Sequence, residues 1–157
     1  MKNVGIRVFV VTWVMVFVGC GIFGEGEVLL STDEGVYTLD SNTVIHLKAS
    51  NETETSVYYI CTGQVYLEER IQNELKGSWM VHGFEECYSA MPIEAGKSET
   101  FDVDLGLLQE YGLLTGPVFD ETVTYRLRVD IYKDDKFEVM VSEAQRETAE
   151  IQIVRAE

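Results

Sequence analysis

Three features of this 157-residue sequence predict an all-β fold. Apolar and polar residues alternate with period two over many short runs, turn-forming residues separate those runs, and only Leu107 to Leu114 carries a helical pattern. Short strands at regular spacing in a chain of this size read as a β-sandwich of immunoglobulin type with seven to nine strands, following an N-terminal signal segment. The expected organisation is a signal segment at 1–19, a glycine-rich tether at 20–27 and one sandwich domain at 28–157.

The elements follow in order. Gly35 to Leu39 reads as a first strand. Thr43 to Ala49 places Ile45, Leu47 and Ala49 on one face and Val44, His46 and Lys48 on the other. Asn51 to Glu54 is a polar turn, and Ser56 to Cys61 is a strand with Val57, Tyr59 and Cys61 sharing a face. Val65 to Ile71 continues as a strand, Asn73 to Gly77 as a turn, and Ser78 to Phe84 as a strand carrying Trp79. Ser98 to Leu105 sets Phe101, Val103 and Leu105 inward against Asp102 and Asp104. Thr122 to Tyr132 sets Tyr125, Leu127, Val129 and Ile131 inward against Thr124, Arg126, Arg128 and Asp130. Lys133 to Lys136 turns the chain, and Phe137 to Val141 and Thr148 to Val154 close the domain. Trp79, Tyr59 and Phe101 are expected in the core, since large aromatics bury most of their area. The charged alternates are expected to face solvent, because only one face of a sandwich strand meets the core. Tyr125 is placed to act as a tyrosine-corner residue.

Lys2 and Arg7 precede an uncharged apolar run of 11 residues, Val8 to Val18. That length suits the apolar region of a secretory signal and is short of the roughly 20 residues that span a bilayer. Phe17-Val18-Gly19-Cys20 follows and resembles the lipobox of bacterial lipoproteins, with Phe17 where Leu is usual. The resemblance implies that the Cys20 thiol receives diacylglycerol, that the chain is cut before Cys20, and that the new amine is acylated, as with palmitate. Several acyl chains give stable membrane retention where one gives only marginal binding. Two other readings stay open. Ordinary cleavage near Gly21 or Gly24 releases a soluble protein, or the segment from Val8 to Phe23 remains as a transmembrane anchor. All three place the domain outside the cytoplasm: in the cell envelope, facing outward, at the outer membrane if the cell has two membranes.

Lys2 and Arg7 are the only charged side chains before Cys20. Residues 20–157 therefore carry 10 Lys and Arg against 27 Asp and Glu, a formal charge of −17. Such a surface repels phosphate backbones, so no nucleic-acid partner is expected. With Cys20 lipidated, Cys61 and Cys87 remain, and in an oxidising compartment the simplest reading of such a pair is a disulfide. Closing that interval stabilises the fold by roughly 3–4 kcal/mol in the chain-entropy picture. Two free thiols or a redox pair is the rival reading, without a C-x-x-C to support it.

The middle of the chain carries a more specific pattern. Val57-Tyr58-Tyr59-Ile60-Cys61-Thr62-Gly63 leads through an amphipathic strand and a turn to Lys76-Gly77-Ser78-Trp79 and then Cys87. Next come Ile93-Glu94-Ala95-Gly96-Lys97-Ser98-Glu99-Thr100-Phe101 and Thr124-Tyr125-Arg126-Leu127-Arg128-Val129. In this order they resemble a family of bacterial immunoglobulin-like domains found in secreted and lipid-anchored proteins, over roughly residues 35–155. Ala95-Gly96 stands where that family has Pro-Gly, and the segment from Gly106 to Asp120 is long. The resemblance implies the sandwich and a Cys61–Cys87 bridge. It implies little about function, because one fold hosts many.

No catalytic residue is assigned. A hydrolase needs a nucleophile, a base and an orienting acid, and the only histidines are His46 and His82, neither in a recognisable motif. No zinc-ligand spacing is present, and no metal or cofactor is expected. Asp102, Asp104, Asp130, Asp134 and Asp135 are a weak calcium pattern without the D-x-D-x-D-G loop. Asn51-Glu52-Thr53 has the form of a glycosylation acceptor. The expected function is a non-enzymatic binding or structural module at the envelope. Its expected partners are the membrane, through the lipid, and an envelope protein or polymer, held by strand edges or loops such as Gly106–Asp120. Two alternatives are a proteinase inhibitor of sandwich fold and a small carboxylate-dependent enzyme.

Overall fold

A computed structural model describes residues 26–39, 42–83, 86–110 and 123–155. The expected signal segment, Cys20 and most of the expected tether lie outside the described residues, as do residues 111–122 of the long segment after Gly106. One layer of the sandwich is an antiparallel sheet in the order β1 (Val28–Thr32), β3 (Val44–Asn51), β8 (Ser98–Asp104). The other is assembled around β9 (Val123–Val129). On one side β9 pairs with β5 (Val65–Ile71), which pairs with β6 (Glu74–His82). On its other side Ile151 bridges Tyr125, and the following β11 (Gln152–Arg155) runs parallel to β2 (Val36–Leu39). A short continuation of this layer has the order β10 (Ile131–Tyr132), β4 (Val57–Ile60), β7 (Ala90–Ile93).

The core lies between the layers, where the period-two pattern places it. Ile45, Leu47 and Ala49 of β3 and Phe101 and Val103 of β8 are buried on one side. Val65, Leu67, Tyr125, Leu127, Val129 and Ile131 are buried on the other. Tyr59 and Phe101 meet edge to face across the layers, with ring centroids 5.2 Å apart. The described residues thus form an immunoglobulin-like β-sandwich, with Leu105–Glu110 (α1) as its short helix.

Eleven strand segments appear among the described residues, and each departure from the sequence reading has a physical cause. The sequence reading has no strand for β1, whose Val-Leu-Leu start breaks alternation: Val28 is buried and Leu29 exposed. It has none for β7 because of Pro92. In the β4–β7 pairing, Cys61 N–H donates to Ser89 O, which makes Tyr58–Pro92 a pair without ladder bonds. The nitrogen of Pro92 then faces the free edge, where no N–H is needed. The turn after β5 is Gln72-Asn73, both at positive φ (52° and 66°), a two-residue hairpin, so β6 begins at Glu74 and not at Ser78. The expected strand over 137–141 is a single bridge at Met140. There the Asp134 carboxylate accepts from the amides of Lys136, Glu138 and Val139 at 3.0, 3.1 and 2.7 Å and removes them from any ladder. Trp79 sits on edge strand β6 and is only partly buried, unlike Tyr59 and Phe101, because nothing pairs beyond that edge to cover it.

The break between β4 and β5 shapes the second layer. Tyr59 faces Ile131 and Val65 faces Val129, so six residues on one strand match two on the other. The chain bulges over 61–64, with Gly63 at φ 58° and its amide bonded to Ile60 O at 2.6 Å. A Cβ on Gly63 would lie 2.6 Å from the Phe101 ring, so only glycine fits.

The Asn51–Thr55 corner ties the layers together. Asn51 is fully buried. Its Nδ2 donates to Thr55 O and Ile93 O, both at 2.8 Å, and its Oδ1 accepts from Thr53 N and Thr53 Oγ1 at 3.0 and 2.7 Å. A side chain so enclosed has no room for a glycan, which removes the acceptor reading of Asn51-Glu52-Thr53. Asn51→Ala strands the buried Ile93 carbonyl and leaves the part-buried Thr55 carbonyl and Thr53 amide without their partner, and should cost about 2–3 kcal/mol. Urea unfolding should show this as a lower midpoint at unchanged slope.

Candidate functional site

Side chains at alternate positions of β5 and β9 point away from the core, and they carry opposite charges on facing strands. The result is a ladder: Arg146–Asp130–Arg128–Glu68–Arg70–Glu147–Arg126–Glu150. Every link falls between 2.5 and 3.3 Å. The Arg128 guanidinium also lies 4.4 Å over the Tyr66 ring. Four of the chain's six arginines meet four carboxylates, so the ladder is neutral as a whole. The expectation that charged alternates face solvent fails here. Glu68 is only 5% exposed, because long arginine side chains lie across the sheet and cover it. The signal was present in the sequence as Glu68 and Arg70 against Arg126 and Arg128, but facing register is not visible in one strand at a time.

The second candidate is a cleft of about 470 Å³ where the end of β6 approaches β8. Cys61, Thr62, Val81, His82 and Gly83 line one wall, and Asp102, Asp104 and Leu107 the other. Asp104 Oδ1 accepts from the amides of Gly106 and Leu107 and thereby starts α1. Asp102 Oδ1 lies 2.8 Å from His46 Nδ1 on the exposed face of the first sheet. The hydrogen bond to Asp102 holds the His46 imidazole above its ordinary pKa. His46 and His82 are therefore placed differently: His46 is paired with Asp102 on the sheet face, and His82 borders the cleft.

Cys61 and Cys87 are bonded, with Cα atoms 5.8 Å apart, and the bridge staples the start of the bulge to the segment before β7. Cys20 lies outside the described residues. The carboxylates of the calcium pattern do not converge. Asp102 binds His46, Asp104 caps α1, Asp130 binds two arginines and Asp134 binds backbone amides. Among the described residues no three metal-ligating side chains come together. Among them, too, no helix is long and apolar enough to cross a membrane.

The class of the described part is thus an immunoglobulin-like β-sandwich domain. No family model and no curated protein matches the chain. Among solved structures it is similar to the CARDB domain of the PF1109 protein from Pyrococcus furiosus, which was solved in complex with di-metal ions. That likeness has 10% identity and a TM-score of 0.35, and covers 85% of this chain and 98% of that one. It is also similar to Spo0M, a sporulation control protein from Bacillus subtilis, at 12% identity and a TM-score of 0.40 over 83% of this chain. There the match spans 50% of the other protein's length. The fold stands on the strand pairing itself.

Glu68→Ala leaves Arg70 and Arg128 each short of one carboxylate and should cost about 2–3 kcal/mol, below the usual cost of breaking a fully buried pair, since both arginines keep some solvent contact. Thermal and urea unfolding check this, and Arg128→Ala made in the same background should add less than it does alone. Because the folded state raises the His46 pKa, the pair contributes to stability below the unfolded pKa of the imidazole, and the contribution fades as pH rises through the folded value. An NMR titration should place His46 above an ordinary histidine, and Asp102→Asn should bring it back.

Proposed function

We propose that the chain is an exported, lipid-anchored β-sandwich module of the bacterial cell envelope that works by binding or scaffolding and not by catalysis. One observation carries the reading: the two cysteines left after Cys20 are joined. A bond between them persists where the surroundings are oxidising, which fits the signal segment and lipobox-like Phe17–Cys20. A tether of a few residues from Cys20 keeps the domain close to the membrane. The cleft between β6 and β8 suits a binding role, since Asp102 and Asp104 give it a negative wall that favours a cationic or hydrogen-bonding group. An envelope protein or polymer is the partner class, and a formal charge of −17 over residues 20–157 disfavours nucleic acid.

Metabolic labelling with radioactive palmitate tests the anchor. The natural chain should be labelled and sediment with membranes, whereas Cys20→Ala should accumulate as an unprocessed, unlabelled precursor. Normal maturation of Cys20→Ala would overturn the anchor and leave export standing. Crosslinking in intact cells, followed by capture from the solubilised envelope, tests the binding role. Repeated recovery of the chain alone would remove it.

A further inference from the structure

The two ends of the sandwich are not equivalent, and the N-terminus marks one of them. Glu27 O accepts from Glu52 N at 2.9 Å, and a Cβ on Gly26 would meet Glu52 O at 1.8 Å, so the chain joins the fold tightly against the Asn51–Thr55 corner. Val28 pairs with Asn51, Asn51 binds Ile93 O, and Ile93 pairs with Val57. Tyr58 then pairs with Tyr132, and the chain leaves the sheet into the loop over 133–139. The turn at 143–145 lies against β1. The Gln72-Asn73 turn lies at the other end, beyond the run from Val123 to Tyr132, whose 10 residues span about 33 Å at strand spacing.

The loop at the N-terminal end has the features of a contact surface. Three amide contacts hold Asp134, and the hydrogen bond from the Glu138 amide does most to keep its carboxyl below the ordinary range. Phe137, at φ 62°, lies edge to face on Tyr132 with centroids 5.0 Å apart. This frame presents Val139 and Met140, which are 52% and 42% exposed. Lys133 and Lys136 stand against Asp134, Asp135 and Glu138, so the loop carries a formal charge of only −1 in a strongly acidic domain.

We infer that the loop Lys133–Met140 is the part of the domain that rests on the lipid bilayer, with Val139 and Met140 entering the boundary between headgroups and acyl chains. The inference rests on the lipid-anchored reading of Cys20. Five residues lie between Cys20 and Gly26, and the span from one to the other reaches at most about 20 Å, which holds this end of the sandwich at the surface and keeps the Gln72-Asn73 end away from it. Once the acyl chains hold the domain there, a weak apolar contact is made at high effective concentration and needs no charge attraction.

The test uses the full mature chain, purified with its lipid and placed in vesicles of phosphatidylethanolamine with a minority of phosphatidylglycerol. A bimane label on Val139→Cys is compared with one on Asn73→Cys, using lipids brominated along the acyl chain as quencher. Several-fold stronger quenching at 139 is expected, and equal quenching at the two sites overturns the inference. Met140→Cys serves if Val139→Cys fails to fold. The mass of the purified chain separates the two readings. A chain without diacylglycerol at Cys20 sinks both, whereas a lipidated chain with equal quenching sinks only the membrane contact.

Discussion

The bulge over 61–64 is the constraint on which the second layer depends. A single long strand would offer one ladder to one neighbour. The bulge divides it into β4 and β5, so the first half pairs with β7 and the second with β6, while β9 and β10 accompany both. Three contacts hold it. Gly63 gives the positive φ and the close approach to Phe101, Ile60 O accepts the Gly63 amide, and Cys61 is bonded to Cys87. The same feature opens the gap between β6 and β8, because Cys61 and Thr62 stand at its wall. Fold and candidate site thus share one local irregularity.

The ion ladder acts differently. Bringing charges out of water costs several kcal/mol per ion, and the attraction between partners repays this only with close geometry. Here each inner carboxylate meets two arginines, and each inner arginine meets two carboxylates. A ladder of this kind adds modest net stability. Its stronger effect falls on register, since sliding β9 by two residues one way sets Arg70 opposite Arg126, and sliding it the other way leaves Glu68 facing Thr124 in place of an arginine. Packing alone could tolerate such a slip, because the apolar positions would still face inward.

Much of the fold was legible because the core obeys period two. β2, β3, β5, β8 and β9 were each visible from alternation, and their inward residues are the buried ones. What escaped was set by partners distant in sequence. β1 has no alternation of its own and is a strand because β3 accepts it. β7 carries Pro92 and is tolerated because its nitrogen faces a free edge. Asn51 looked like a turn residue, and its burial depends on Ile93, 42 positions away. The candidate cleft was hidden for the same reason. Thr62, His82 and Asp102 come from three segments, and no spacing in the chain announces that they meet.

The placement of charge also narrows where a partner can be bound. The ladder uses four of the ten basic residues in residues 20–157 and leaves six cations against 23 carboxylates elsewhere. A partner laid on the ladder would desolvate groups mostly bonded to one another, and the two ladder nitrogens without a partner, Arg70 Nε and Arg126 Nε, are buried beneath it, so the net effect is a cost. The cleft is a different case. Asp102 and Asp104 face it, and the described ion pairs offset them only through His46, which is charged only when protonated. A cationic group entering there meets uncompensated negative charge, and does so more strongly as His46 loses its proton. Binding that strengthens with rising pH through the His46 titration, and that loses this dependence in His46→Gln, would therefore assign the partner to the cleft.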